Sequence, residues 1–127
     1  MHIVIQNSCD TPIYQQIYAQ IKDAVLSGEL KEGYLLPSIR QLSRELKVSV
    51  ITTTRAYTDL ENEGYIMIVQ GKGCYVKALH QAVIEERLMC AMEEHFQEIQ
   101  KSAHMLNKTK EELWQILQIF MEEYNNE

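Results

Sequence analysis

Between Ser38 and Arg55 four cations, Arg40, Arg44, Lys47 and Arg55, face one acid, Glu45, and alternate with the hydroxyls of Ser38, Ser49, Thr52, Thr53 and Thr54. Guanidinium, ammonium and hydroxyl groups gathered in this way bind phosphate oxygens and the polar edges of bases. Catalytic chemistry has no comparable footing. The histidines His2, His80, His95 and His104 fall at no metal-ligand spacing, and none adjoins a candidate nucleophile. Gly71 and Gly73 are not followed by the helix that a phosphate loop requires. Cys9, Cys74 and Cys90 lack CxxC spacing and read as reduced thiols, Cys74 packed within a strand. Neither enzymatic activity, nor a metal, nor a cofactor is expected.

The net charge of −6 over 127 residues speaks against a polyanionic partner until its distribution is considered. Residues 1–77 hold eight basic and eight acidic side chains, which cancel, whereas residues 78–127 hold four and ten and carry the whole excess. The positive field is therefore local, and a duplex contact needs no more than that. No apolar run reaches the roughly 18–20 residues of a membrane span, and Met1-His2-Ile3 does not open a signal peptide. A soluble, cytoplasmic chain with no membrane partner is expected.

The elements that must position these groups follow from periodicity. Pro12 opens a helix at its first position, Ile13, Ile17, Ile21 and Val25 form its inner stripe, and Gly28 caps it. Residues 29–37 form a connector. Ser38-Ile39-Arg40-Gln41 matches a capping box before a short helix with Ile39, Leu42 and Leu46 inward. After the tight turn at Lys47-Val48, Ser49 caps a further helix whose inner face is Thr53, Ala56, Tyr57 and Leu60, closed by Gly64. Residues 65–69 and 74–76 read as two strands around Gln70-Gly71-Lys72-Gly73, a β-hairpin. Two helices follow, one striped by Ile84, Leu88, Met92, Phe96, Ile99, Ala103 and Leu106. The second is opened by the capping box Thr109-Lys110-Glu111-Glu112 and striped by Leu113, Leu117, Phe120, Met121 and Tyr124.

Helix, short helix, turn, helix and hairpin in that order predict a mainly α (α+β) chain. Its winged helix-turn-helix domain spans residues 11–78, with the recognition helix at about 49–63 and the wing at about 65–77. Five consecutive β-branched residues, Val50-Ile51-Thr52-Thr53-Thr54, open the recognition helix at a propensity cost of roughly 2–3 kcal/mol relative to alanine. Ile51, Thr54, Arg55 and Thr58 point away from the inner stripe. Short branched side chains let the backbone lie close to a groove, hydroxyls can bond bases and phosphates, and methyls can touch thymine methyls. The run therefore suits a surface that is read, against its own local preference.

These residues resemble a known family. Pro12-Ile13-Tyr14-Gln15-Gln16-Ile17, Leu36-Pro37-Ser38, Arg40-Gln41-Leu42-Ser43, Val48-Ser49, Arg55-Ala56-Tyr57, Leu60-Glu61, Glu63-Gly64 and Gly71-Lys72-Gly73 are similar in order and spacing to the GntR family of bacterial transcription regulators. The resemblance implies contact with double-stranded DNA. Ser38 and Arg40, then Ser49, Val50, Ile51, Thr52 and Thr54 with Arg55 beside them, and Gln70, Gly71 and Lys72 at the wing tip would carry it. Departures from the family pattern are Ile39 where an acid is frequent, Val50 and Ile51 where polar or basic side chains are frequent, and Thr53 where an apolar residue is usual and the hydroxyl is mildly unfavourable for the core.

Residues 79–127 are too few for the large effector domains of that family. They resemble the short YtrA-like subfamily, in which this segment mainly dimerises. Two helices alone cannot bury Leu88, Met92, Phe96, Ile99, Leu113, Trp114, Leu117, Phe120 and Met121, whereas a second copy can. A homodimeric regulator, a repressor on a palindromic operator, is the expectation. Two alternatives stand beside it. One is a winged-helix module used for protein contacts. The other is a regulator whose C-terminal helices hold a small-molecule effector near Trp114, Phe120 and Tyr124; whether such an effector exists is unknown from the sequence.

Overall fold

A computed structural model describes residues 1–124; residues 125–127 of the expected dimerisation segment lie outside it. Helices α1 (Ile13–Leu26), α2 (Ile39–Leu46), α3 (Val50–Asn62), α4 (Gln81–Met105) and α5 (Lys110–Tyr124) accompany strands β1 (Leu35–Leu36), β2 (Ile66–Val69) and β3 (Gly73–Val76). The chain divides into two compact units, Met1–Ile84 and Glu85–Glu127.

In the first unit α1 and α2 pack on α3, which is also in contact with β2. The stripes read from the sequence are the core: Ile17 and Ile21 of α1, Leu42 of α2, Thr53, Ala56, Tyr57 and Leu60 of α3, and Ile66 of β2 are almost wholly buried. At roughly 1.5–3 kcal/mol for each fully buried large apolar side chain, such a stripe outweighs the propensity deficit of the β-branched run.

The three strands form an antiparallel sheet in the order β1-β3-β2, with Leu35 paired to Tyr75 and Met67 paired to Tyr75 from the other side. β1 was expected only as connector. Two residues have no period to read, and this strand exists because β3 offers it an edge.

Local chemistry departs from expectation in two further places. Pro12 is the N-cap of α1, in extended backbone, so helical geometry begins at Ile13. The capping box at Ser38 is half formed. Its hydroxyl accepts the Gln41 amide N–H at 3.0 Å, but the Gln41 side chain donates to Glu45 Oε1 at 3.0 Å rather than returning to Ser38.

The first ten residues, which carry no periodic signal, join the unit. Ile3 is buried in its core. The Gln20 amide accepts from the Val4 N–H at 3.0 Å and donates to the Val4 carbonyl at 2.8 Å. Four residues earlier on α1, Gln16 accepts from the Gln6 N–H at 2.8 Å and donates to its carbonyl at 3.1 Å. Two side-chain amides one helical turn apart thus grip alternate residues of an extended segment, as a neighbouring strand would.

In the second unit the capping box at Thr109 is complete. The Glu112 N–H donates to Thr109 Oγ1 at 3.1 Å and the Thr109 N–H donates to Glu112 Oε1 at 3.0 Å. The bond from the Thr109 N–H to the ionised carboxylate, with the Thr109 hydroxyl beside it, holds the Glu112 carboxyl below its ordinary value. Asn107, at φ 56°, takes the left-handed conformation between α4 and α5. Among the described residues of α4 and α5 only Ala103 is buried, so their apolar stripes are left largely open to solvent.

Candidate nucleic-acid interface

The left-handed Lys47, at φ 58°, ends α2 and turns the chain tightly into α3. Ser49 then sits in extended backbone and its hydroxyl accepts the Thr52 N–H at 3.0 Å, a cap that starts α3 despite its β-branched opening. A buried polar pair locks α2 against α3. Ser43 Oγ and Thr53 Oγ1 lie 2.8 Å apart, with the Ile39 carbonyl 2.7 Å from the first and the Ser49 carbonyl 3.4 Å from the second. Thr53 is therefore not a flaw in the core: its hydroxyl is satisfied by a partner that no local pattern announces. Replacing Thr53 with valine should cost about 1 kcal/mol in urea denaturation. Most of that loss should vanish when Ser43 is already alanine, and additive losses from the two changes would show that the pair is not coupled.

Tyr57 fixes a second junction. Its phenol donates to the Pro37 carbonyl at 2.7 Å, tying α3 to the turn that precedes Arg40. Burial of the ring pushes this phenol well above its ordinary value, so it stays protonated and keeps donating.

Around these supports lie the residues singled out in the sequence. Ser38, Arg40, Ser49, Val50, Ile51, Thr54 and Arg55 are exposed, and Thr52 is half-buried. Arg40 and Arg44, one turn apart on α2, line an open depression of about 410 Å³ with Ser43, Val48 and Val50. Arg44, expected only as part of the local charge, also lines the site, and its i, i+4 relation to Arg40 is the sequence signal for that. Arg55 is less free than expected, because its guanidinium lies 3.8 Å from the centre of the Tyr14 ring on α1. That stacking holds the cation in place. Among the described residues none of Arg40, Arg44, Lys47, Arg55 and Lys72 forms an ion pair, so their field is available to an outside anion.

At the wing the Lys72 N–H donates to the Val69 carbonyl at 3.0 Å, and Gly71, at φ 79°, supplies the conformation the turn needs. Gln70, Gly71 and Lys72 are all exposed at its tip. Tyr75 donates from its hydroxyl to the Lys72 carbonyl at 3.0 Å, and Glu61 of α3 accepts the Ile68 N–H at 2.7 Å. The hairpin is thereby anchored to the helix that carries Ile51. A Cβ on Gly73 would come within 2.8 Å of Leu35 Cδ1, the movable end of an exposed side chain, and the backbone there, at φ 119°, is one that favours glycine.

The helix-turn-helix and wing match the family model for bacterial regulatory proteins of the gntR family over residues 13–76. The chain is 33% identical over 111 residues to the HTH-type transcriptional repressor YtrA of Bacillus subtilis, covering 87% of this chain and 85% of that one. Other curated regulators match half to three quarters of this chain, which spans only 14–31% of their length. A solved GntR family transcriptional regulator from Listeria monocytogenes superposes with a TM-score of 0.74 at 27% identity, over 90% of this chain and 97% of that one. AraR(DBD) in complex with operator ORX1 superposes with a TM-score of 0.53 at 25% identity, over 60% and 95%. By its motifs, its winged-helix fold and these likenesses, the chain belongs to the GntR family of bacterial regulatory proteins.

Proposed function

We propose that this chain is a sequence-specific DNA-binding transcription regulator that works as a homodimer and represses by occupying a palindromic operator. One observation carries the DNA reading. The capped, exposed first turns of α3 adjoin the unpaired cations Arg40 and Arg44, on a unit that also presents Lys72 at a rigid hairpin tip. The recognition helix enters the major groove with Ser49 and Thr52 at its start. Arg40 of α2, with Ser38, contacts the DNA beside it, and the wing tip Gln70-Gly71-Lys72 reaches the minor groove. The names of its relatives, a repressor and a DNA-binding domain on its operator, support the same reading.

The open stripes of α4 and α5 supply the dimer. Leu88, Met92, Phe96, Ile99, Trp114, Phe120 and Met121 are each 41–62% exposed, and Leu113 and Leu117 are half-buried. An apolar surface of this extent on two helices calls for a partner, and a second copy pairs the two recognition helices for two half-sites. No helix among the described residues is long and apolar enough to cross a membrane. The reading places the protein in the cytoplasm with its DNA. Fluorescence anisotropy with the duplex upstream of its own gene, against scrambled DNA and at several salt concentrations, tests it. Preference for one duplex with steep salt dependence supports the reading. No preference for any duplex in a genomic pool leaves a protein-contact module instead.

A further inference from the structure

The outward surface of α3 carries fewer polar hydrogens than its composition suggests. The Thr54 hydroxyl turns back to donate to the Val50 carbonyl at 2.7 Å. Ser49 Oγ and Thr52 Oγ1 lie 2.7 Å apart, so one of their two protons is used between them. Thr53 is wholly buried. Arg55 is stacked on Tyr14. No Asn, Gln, Asp or Glu lies between Val48 and Thr58, so the forked amides that read adenine and the carboxylates that accept from cytosine are lacking there.

What the first turn presents instead is hydrocarbon. Ile51 is 82% exposed and Val50 is 49% exposed, while the hydroxyl of the neighbouring Thr54 is engaged with its own helix. Nothing else in the described chain covers Ile51. An aliphatic side chain distinguishes one base in the major groove, thymine, by its C5-methyl group. On the DNA-binding reading above, we infer that Ile51, seconded by Val50, is a specificity-determining residue that selects thymine at the half-site positions facing the start of α3.

The test uses a single-atom-group change in the DNA. The full wild-type chain selects its best duplex from a randomised pool, and each thymine of that duplex is replaced in turn by uracil, which removes only the methyl. At one or two positions in each half-site uracil should weaken binding about fourfold, the effect of exposing one buried methyl. The Ile51→Ala protein should bind the thymine and uracil duplexes alike at those positions. Its fold is preserved because the residue is exposed and alanine favours the helix, and circular dichroism checks this. Equal affinity of wild type for every uracil duplex overturns the inference, as does a uracil penalty that survives unchanged in Ile51→Ala, while DNA binding itself stands. Failure to enrich any duplex over scrambled DNA overturns the DNA-binding reading and this inference with it.

Discussion

Arg40→Ala is expected to weaken binding to a selected operator duplex by roughly tenfold to a hundredfold, the range for an arginine that contacts DNA directly. The substitution should leave the fold intact. Arg40 is exposed, makes no ion pair among the described residues, and stands on a helix capped by the neighbouring Ser38 rather than by itself. Its placement explains the size of the effect. The turn before it is tied to α3 through Tyr57 and Pro37, so the guanidinium is presented from a rigid edge instead of a mobile loop. A contact that is already positioned loses little entropy on binding.

Two diagnostics accompany the loss. The slope of log affinity against log salt should become shallower by about 0.9 if the contact is to one phosphate. Arg40→Lys should recover part of the affinity through charge alone, since an ammonium cannot reproduce a forked contact. Wild-type affinity in Arg40→Ala, measured on the same duplex, would remove this residue from the interface.

The second large effect concerns oligomeric state. Phe96→Asp combined with Ile99→Asp should convert the protein from dimer to monomer in light scattering behind size exclusion. Operator affinity should fall by a hundredfold or more, because each chain then holds one half-site without the avidity of the pair. Phe96 and Ile99 lie one turn apart on the stripe of α4, 47% and 41% exposed. In the chain alone, carboxylates there remain in water and cost little. Between two copies they would be buried as like charges facing an apolar surface, which is strongly unfavourable. The substitutions therefore discriminate against the dimer and spare the winged-helix unit, whose melting should be unchanged. A stable dimer in this double variant would show that the two copies do not meet through this stripe.

Much of the fold was legible because its signals are periodic. The inner face of α3 could be read from Thr53, Ala56, Tyr57 and Leu60, since a helix places these on one side whatever the propensity of the residues between. The hairpin announced itself through two short apolar runs around Gly71. What remained hidden depends on which partner each group meets in the folded chain. Thr53 looked misplaced until Ser43, ten residues earlier, was found beside it. Gln41 followed the capping pattern but met a nearer acceptor in Glu45. β1 exists only by pairing with β3.

The candidate site divides in the same way. Arg40, Ile51 and Lys72 could be placed from local pattern, because each lies on the outward side of a recognisable element. Arg55 could not be fully described, since its stacking on Tyr14 joins residues 41 positions apart in the sequence. The use of the Thr54 and Ser49 hydroxyls within the helix was likewise invisible, for a composition states which groups exist and not which are already bonded.

The grip of Gln16 and Gln20 on the N-terminal segment has a practical consequence for anyone trimming or labelling the protein. Val4 and Gln6 lie outside any helix or strand, yet their amide hydrogens should exchange with deuterium more slowly than their position suggests, because each is bonded to a side-chain carbonyl. A version beginning at Thr11 would strip Ile3 from the core and leave the side-chain carbonyls of Gln16 and Gln20 without the N–H groups they accept. Chain ends are commonly removed as dispensable, but here the first residues are part of what keeps the DNA-reading unit folded.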